Sequence, residues 1–144
     1  MKLIKLCILS LLIAQSASAE IVKNSKNTLK DTKTNYIWQD TKETKTNKRT
    51  FSEAVEYCKN LELDGRKSWE LPGFMELFSI IDTKRYNPSI SKSFKNITPK
   101  DYWTTKTFGN ATSNEAFVVN FVSGAFNRVK MNTKSFVRCY QKTQ

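Results

Sequence analysis

The chain has 144 residues, with 24 lysines and arginines against 13 aspartates and glutamates, a formal net charge of +11, and no histidine. The lack of histidine excludes a histidine general base, a Ser-His-Asp triad and imidazole ligands for a metal. The positive charge attracts acidic polysaccharide, anionic lipid headgroups or nucleic acid, although a lysine-rich surface can also serve solubility alone.

The first 19 residues have the order of a secretory signal peptide. Lys2 and Lys5 precede an apolar stretch from Leu6 to Ala14, and small residues end the segment at Ala17-Ser18-Ala19. The apolar stretch is far shorter than the about 20 residues that a membrane span needs, so we expect cleavage after Ala19 and no stable membrane insertion. The mature protein would be periplasmic or secreted, away from nucleic acid, for which the sequence has no recognised binding motif.

Cleavage would remove Cys7 and leave Cys58 and Cys139, an even pair in a compartment where disulfides persist. We therefore expect one disulfide, which also excludes thiolate nucleophiles and zinc–thiolate sites. A crosslink that closes about 80 residues is assigned about 4–5 kcal/mol by the chain-entropy treatment. Because this matches the net stability of a small domain, the bridge is expected to be essential for folding.

The N-terminal half predicts a polar lead-in followed by one well-marked helix. Residues 20–33 are lysine-rich and are interpreted as a mobile arm or an edge segment leading into the domain. A short strand is predicted at Tyr36-Ile37-Trp38, and residues 39–49 predict an exposed loop. Thr50-Phe51-Ser52-Glu53 has the form of a capping box before apolar residues at helical spacing. This pattern predicts a helix of roughly 11 residues that turns Cys58 towards the core.

The remainder of the chain changes from helical to strand periodicity. Leu71-Pro72 opens a second predicted helix, and residues 82–100 form one long loop, a length that is often functional when ordered. β-Branched and aromatic segments then predict antiparallel strands joined by hairpins, at 102–105, 116–122, 126–131 and 136–140. Cys139 is expected in the last strand. The predicted fold is α+β, with two early helices packed on a late antiparallel sheet and tied to it by one disulfide.

Ten segments along the chain, together with Leu61 and a turn that contains Gly65, match one family in order. They are Trp38-Gln39, Phe51-Ser52-Glu53-Ala54, Tyr57-Cys58, Ser68-Trp69, Leu71-Pro72, Glu76-Leu77, Tyr86-Asn87-Pro88, Tyr102-Trp103-Thr104-Thr105, Phe121-Val122-Ser123-Gly124 and Phe136-Val137-Arg138-Cys139. In this order they resemble the Lcl C-terminal domain, a bacterial module related to the C-type-lectin-like fold. We assign residues 34–142 to this domain, after the arm. Glu70 departs from the family pattern, which usually has arginine there.

The resemblance implies a C-type-lectin-like domain with its terminal strands close together and a long irregular loop region. In the family, the domain occurs in exported and surface proteins, and in the collagen-like adhesin that names it, it is associated with sulfated polysaccharides of host surfaces. We therefore expect an exported, non-catalytic binding module for an anionic or sulfated polysaccharide at the cell envelope. The alternative is a structural or assembly protein of the bacterial envelope that binds another protein through its loops.

The candidate ligand-binding residues are the cations of the long loop and the tryptophan that follows it, namely Lys84, Arg85, Lys92, Lys95 and Trp103. A loop held at both ends is preorganised, whereas an arm loses chain entropy on binding. A second basic cluster at residues 42–49 would add to the surface if the two loops converge. Trp38, Trp69 and Trp103 are each expected to pack in the core, and Trp103 is the best candidate among them for a partly open ring. Arg138 is expected to form a structural ion pair.

Catalysis, a cofactor and a metal site are not expected. The carboxylates of Glu70, Glu76, Asp82 and Asp101 are spaced without a recognisable pattern for acid–base chemistry on a glycosidic bond. Calcium-dependent sugar binding needs six to eight oxygen ligands, several of them carboxylates, and the sequence has no cluster to supply them. The sequence therefore predicts binding and not a reaction.

Overall fold

A computed structural model describes residues 20–109 and 112–143. The expected signal peptide at residues 1–19, with Cys7, lies outside the described residues. Over the described ranges, none of the helices combines the length and the apolar character that a membrane crossing requires. The architecture is α+β, with two sheets and few helices.

The elements follow one another as β1 (Ile21–Ser25), β2 (Thr28–Asp31), β3 (Ile37–Gln39), α1 (Glu43–Thr46), β4 (Lys48–Arg49), α2 (Phe51–Asn60), α3 (Phe74–Phe78), β5 (Asp101–Phe108), β6 (Glu115–Asn120), β7 (Phe126–Lys130), β8 (Ser135–Phe136) and β9 (Tyr140–Gln141). The first sheet has the strand order β1-β2-β3-β9, and the second has the order β4-β8-β5-β6-β7. Strands pair antiparallel except for β5 and β8, which pair in parallel. The first and last strands therefore share a sheet.

The lysine-rich segment at residues 20–33 forms a hairpin that packs on the domain. Strand β1 lies at the edge of the first sheet, and β2 pairs with β3. Leu29 is buried in the same core cluster as Trp38, and Asp31 is buried as well. The edge-segment interpretation describes this hairpin, whereas a mobile arm outside the domain is wrong, because the β2–β3 ladder and the burial of Leu29 hold it in place.

Helix α2 begins at the predicted capping box. The Thr50 hydroxyl accepts a hydrogen bond from the backbone N–H of Glu53, and the Glu53 carboxylate accepts one from the backbone N–H of Thr50 at 2.8 Å. Ala54 and Cys58, one turn apart, are the buried residues of this helix. Cys58 is disulfide-bonded to Cys139, with the two Cα atoms 5.5 Å apart. The predicted bridge is confirmed.

Residues 39–49 are not the exposed loop that the sequence predicts. They contain α1 and β4, and the side chains of Gln39, Asp40, Thr41 and Thr44 are buried. These buried side chains are polar, and hydrogen bonds satisfy them. The segment therefore has no apolar periodicity that would have predicted its burial.

The predicted second helix and last strand both differ in the structure. Helix α3 is only five residues long and begins after Gly73, not at Pro72. The predicted strand at residues 136–140 is divided between β8 in the second sheet and β9 in the first, with Cys139 between them. The disulfide therefore ties α2 to the segment where the chain crosses between sheets. Residues 82–100 form the expected long loop, apart from an isolated bridge between Ile81 and Ile90.

The core consists of two clusters, to both of which β5 and β6 contribute. Tyr102 and Val119 face the cluster that contains Trp38, whereas Trp103 and Val118 face the cluster that contains the disulfide. Successive side chains of a strand point to opposite faces, so these two strands are buried on both sides over part of their length.

Candidate functional site

Arg138 is fully buried and joins three segments of the chain. Its Nη1 donates to the carbonyl oxygen of Gln39 and to Oδ1 of Asp40 at 3.3 Å, and its Nη2 donates to the carbonyl oxygen of Asn96 at 2.7 Å. The guanidinium carbon also lies 4.6 Å from the centroid of the Phe94 ring. The expected structural ion pair of Arg138 is therefore confirmed, with Asp40 as its partner.

The end of the long loop is fixed against α1 by the same carboxylate. Asp40 accepts hydrogen bonds from the backbone N–H groups of Lys95 and Asn96, each at 3.0 Å. The Thr98 hydroxyl donates to the carbonyl oxygen of Lys45 at 2.7 Å. Residues 95–98 of the long loop thus lie against the basic segment at residues 42–49, a convergence that the sequence left open.

A cleft of about 480 Å³ lies beside this junction and is lined mainly by cationic and neutral polar side chains. We call it the basic cleft, and its lining residues are Thr46, Asn47, Lys48, Arg49, Glu53 and Lys134. Its one carboxylate is already engaged, because Glu53 caps α2. Hydrogen bonds from the backbone and hydroxyl of Thr50, with the charges of Lys134 and Arg49, lower the pKa of Glu53. The cleft is therefore lined by three cationic side chains and by one carboxylate that is already hydrogen-bonded to the backbone of Thr50.

Arg49 is held in the basic cleft by stacking. Its guanidinium carbon lies 3.6 Å from the centroid of the Tyr57 ring, and no carboxylate oxygen lies within 4.0 Å of it in the part of the chain that the structure describes. Tyr57 is fixed in turn, since its hydroxyl accepts a hydrogen bond from Gln39 Nε2 at 2.7 Å, and burial raises its pKa. Stacking on an aromatic face orients the guanidinium, whose Nη1 is buried and has no hydrogen-bond partner among the described residues.

Further uncompensated lysines surround the basic cleft and the adjoining loop. Within residues 20–109 and 112–143, none of the following has a carboxylate oxygen within 4.0 Å: Lys42, Lys45, Lys48, Lys92, Lys95 and Lys134. The Lys48 ammonium lies 5.2 Å from the centroid of the Phe136 ring, and the Lys95 ammonium donates to the carbonyl oxygen of Lys92 at 2.8 Å. A positively charged surface attracts anions and raises the rate at which they associate with the protein.

The beginning of the long loop has different surroundings. Lys84 lines a cleft of about 520 Å³ together with three carboxylates, those of Glu20, Asp31 and Asp82. Arg85 is half-buried, and its Nε donates to the carbonyl oxygen of Ile90 at 2.7 Å, which closes the loop on itself. A polyanion would be repelled by the carboxylates around Lys84. The structure therefore places Lys95 beside α1 but does not bring Lys84 and Arg85 into the same cationic surface.

Trp103 does not have the partly open ring that the sequence suggested. It is fully buried, its ring packs edge-to-face on Phe51 with the centroids 5.7 Å apart, and its Nε1 donates to the carbonyl oxygen of Arg49 at 2.8 Å. The open-ring alternative is wrong and the core-packing interpretation is confirmed, because β5 is covered on the side that carries Trp103 by the cluster around the disulfide. Trp103 instead fixes the backbone of Arg49 at the basic cleft.

Sequence reasoning missed Lys134. It is a single exposed lysine between β7 and β8, with no neighbouring basic residue or apolar pattern to mark it. It reaches the basic cleft because β8 pairs with β4, which sets Ser135 opposite Arg49. Only knowledge of this strand pairing would have placed it there.

The part of the chain that the structure describes contains no group of three or more aspartates, glutamates and cysteines that could hold a metal ion.

In a comparison with protein families, residues 27–141 match the Lcl C-terminal domain. The match begins between β1 and β2, in agreement with the packing of this hairpin on the domain. A comparison with curated proteins gives no match.

Proposed function

The chain belongs to the family of Lcl C-terminal domains, and from this premise we propose that it is an exported, non-catalytic module that binds an anionic or sulfated polysaccharide at the cell envelope. The observation that carries the proposal is the basic cleft, which Lys48 and Lys134 line together with Arg49, whose guanidinium stacks on Tyr57. A planar guanidinium matches the paired oxygens of a sulfate or carboxylate, and its orientation is set before the ligand arrives.

The distribution of charge favours a polymer over a single small anion. An exposed ion pair contributes only about 0.2–1 kcal/mol, so useful affinity requires several such contacts. The basic cleft and the uncompensated lysines at positions 42, 45, 92 and 95 offer them over adjoining segments. The Thr46 hydroxyl is engaged with the Lys42 carbonyl and Asn47 Oδ1, which leaves the amide N–H groups of the Asn47 side chain as donors towards sugar hydroxyls.

The finer fold assignment, a C-type-lectin-like domain, is part of the same proposal. It is supported by the shared sheet of the first and last strands, by the long loop between α3 and β5, and by the disulfide from α2 to the segment before β9. Export to the periplasm or beyond the cell is supported by the sequence of residues 1–19.

The test compares two variants that lose the same charge. The cleft variant is Lys48→Ser/Arg49→Ser/Lys134→Ser, and the matched control is Lys26→Ser/Lys33→Ser/Lys59→Ser, at exposed positions in the N-terminal hairpin and in α2. Calorimetric titration measures their binding to dextran sulfate, with neutral dextran as the uncharged polymer. We expect about tenfold weaker binding in the cleft variant, from three lost pairs at roughly 0.5 kcal/mol each, and less than about twofold in the control.

Two results would contradict the proposal. Equal losses in the two variants would mean that dextran sulfate responds only to overall charge, and equal binding of dextran would mean that charge is not recognised. Raising the salt concentration should weaken binding of the wild-type protein, since screening shortens the reach of its charges. The alternative function, assembly with another envelope protein, predicts no saturable signal with either polymer.

A further inference from the structure

Five phenylalanine rings form a continuous strip between α3 and the edge of the second sheet at β7, with which no further described strand pairs. Adjacent ring centroids are 5.2–6.2 Å apart along the series Phe78, Phe74, Phe126, Phe117 and Phe108. We call this the aromatic strip. Phe126 is 58% exposed and the nearby Met75 of α3 is 70% exposed. A contiguous apolar surface of this kind marks an interaction site more often than scattered exposed residues do.

The strip is bordered by β7, the edge strand of the second sheet. Hydrogen bonds at the two ends of the β6–β7 ladder, from Asn120 N–H to the Ala125 carbonyl and from Met131 N–H to the Asn114 carbonyl, fix which residue pairs are bonded. Bonded and non-bonded pairs alternate in an antiparallel ladder. The backbone groups directed at the free edge are therefore those of Phe126, Arg128 and Lys130.

Part of this edge is already occupied within the chain. Asn127 Oδ1 accepts a hydrogen bond from the Arg128 N–H at 2.8 Å, and the Lys130 carbonyl oxygen accepts bonds from the backbone and hydroxyl of Thr133. The Asn127 side chain is exposed, so an incoming strand can displace it. Both backbone groups of Phe126, the Arg128 carbonyl and the Lys130 N–H remain directed at the edge.

The side chains of these three edge residues lie on the face of the aromatic strip, because they alternate with Asn127 and Val129. The Arg128 guanidinium carbon lies 3.8 Å from the centroid of the Phe108 ring, and no described carboxylate lies within 4.0 Å of it. The Lys130 ammonium is 3.7 Å from Glu115, in an exposed and hence weak pair. Along its edge, β7 thus presents one apolar and two cationic positions.

This pattern argues for a particular occupant. A second copy of the chain is disfavoured, because antiparallel β7–β7 pairing centred on Arg128 would set two arginines against each other. It would also bring together two strongly basic chains, since the formal charge is +11 for the full sequence and Lys2 and Lys5 are its only charged residues before the expected cleavage site. Charge complementarity instead requires acidic side chains beside Arg128 and Lys130, and the exposed Phe126 requires an apolar one.

We propose that β7 accepts an added antiparallel strand from a partner protein with the pattern Glu-x-Glu-x-Leu, where aspartate or another apolar residue can substitute. The first acidic residue lies beside Lys130, the second beside Arg128, and the apolar residue lies beside Phe126 on the aromatic strip. Backbone hydrogen bonds supply affinity and the alternate side chains supply specificity. The site uses no residue of the basic cleft and does not depend on polysaccharide binding.

The test uses the labelled peptide acetyl-Thr-Glu-Thr-Glu-Thr-Leu-Thr-amide and measures fluorescence anisotropy with the purified chain at physiological ionic strength, where screening acts over about 8 Å. We expect saturable binding that Arg128→Glu/Lys130→Glu weakens about five- to tenfold, as two cross-strand charge pairs are reversed. A peptide with lysine in place of glutamate should bind this variant better than the original peptide does. The matched reversal Lys48→Glu/Lys134→Glu, in the basic cleft, should leave peptide binding unchanged.

Two N-methylated peptides separate strand addition from simple charge attraction. Methyl groups on the nitrogens of the two glutamates and the leucine block the hydrogen bonds to β7 and should abolish binding. Methyl groups on the intervening threonine nitrogens, which point away from β7, should be tolerated. Absence of saturable binding, equal effects of the two methylation patterns, or equal effects of the two charge reversals would each overturn the proposal. Binding of dextran sulfate by Arg128→Glu/Lys130→Glu tests the polysaccharide site separately.

Discussion

Both ends of the long loop carry basic side chains, but the charges that surround them differ. At its beginning, Lys84 shares a cleft with Glu20, Asp31 and Asp82. At its end, Lys95 is fixed beside α1 by hydrogen bonds to Asp40 and adjoins an uncompensated cationic surface. The carboxylates at the beginning come partly from the loop itself, at Asp82, and partly from the N-terminal hairpin that packs beside it. The difference teaches that a basic loop joins a continuous cationic surface only where neither the loop nor its neighbours place uncommitted carboxylates beside it.

The largest effect is expected from breaking the bridge that holds the crossover segment. Cys58→Ser/Cys139→Ser removes a crosslink over 81 positions, and the chain-entropy treatment predicts a loss of about 4–5 kcal/mol in the free energy of unfolding. Urea denaturation of this variant and of the wild-type protein measures the difference. An unchanged midpoint would show that the anchored end of the loop does not depend on the bridge.

The next effect concerns the buried pair that fixes the end of the loop. Asp40→Ala leaves the Arg138 guanidinium buried without its carboxylate and frees the backbone N–H groups of the loop, so we expect about 3–5 kcal/mol of destabilisation. Asp82→Ala, at the other end, removes a hydrogen bond to the Lys84 backbone and should cost about 1 kcal/mol or less. Urea denaturation checks both, and similar losses would contradict the distinction between the two ends.

A smaller effect is expected in binding. Lys92→Ser/Lys95→Ser should weaken binding to dextran sulfate by about two- to threefold, because each exposed pair contributes some tenths of a kcal/mol. Lys84→Ser/Arg85→Ser loses the same charge and should leave the affinity nearly unchanged. Calorimetric titration of the two double variants measures the contrast. A larger loss in the second variant would mean that the carboxylate-lined cleft takes part in binding.

The smallest effect is a pH dependence of stability at the cap of α2. The pKa of Glu53 is lowered below its unfolded value of 4.5, chiefly by its backbone hydrogen bond from Thr50. Ionised Glu53 therefore stabilises the fold above about pH 4.5, and this contribution is lost as the pH falls through the lowered pKa. Glu53→Gln should flatten the stability profile in that acidic range. Glu56→Gln, with the same charge change in the same helix, serves as the control in thermal unfolding.

The sequence predicted features whose signals are local. The capping box at Thr50, the burial of Cys58 and the strands around Tyr102 follow from short patterns and occur in the structure. The buried side of residues 39–49 was missed because Asp40 is satisfied by Arg138 and Asn96, which are distant along the chain. The position of Lys134 at the basic cleft was missed for the same reason, since the pairing of β8 with β4 decides it.

The disulfide also defines how the domain transmits mechanical tension. A pull on the chain beyond β9 reaches Cys139 directly and passes through a covalent bond into α2, whose first turn lines the basic cleft at Glu53. The two-residue pairing of β4 with β8 is bypassed by this route. Tension between a ligand bound at the proposed site and the C-terminal strand would therefore follow a covalent route through the disulfide, although the β3–β9 ladder, which lies between the pulled end and Cys139, would still bear load.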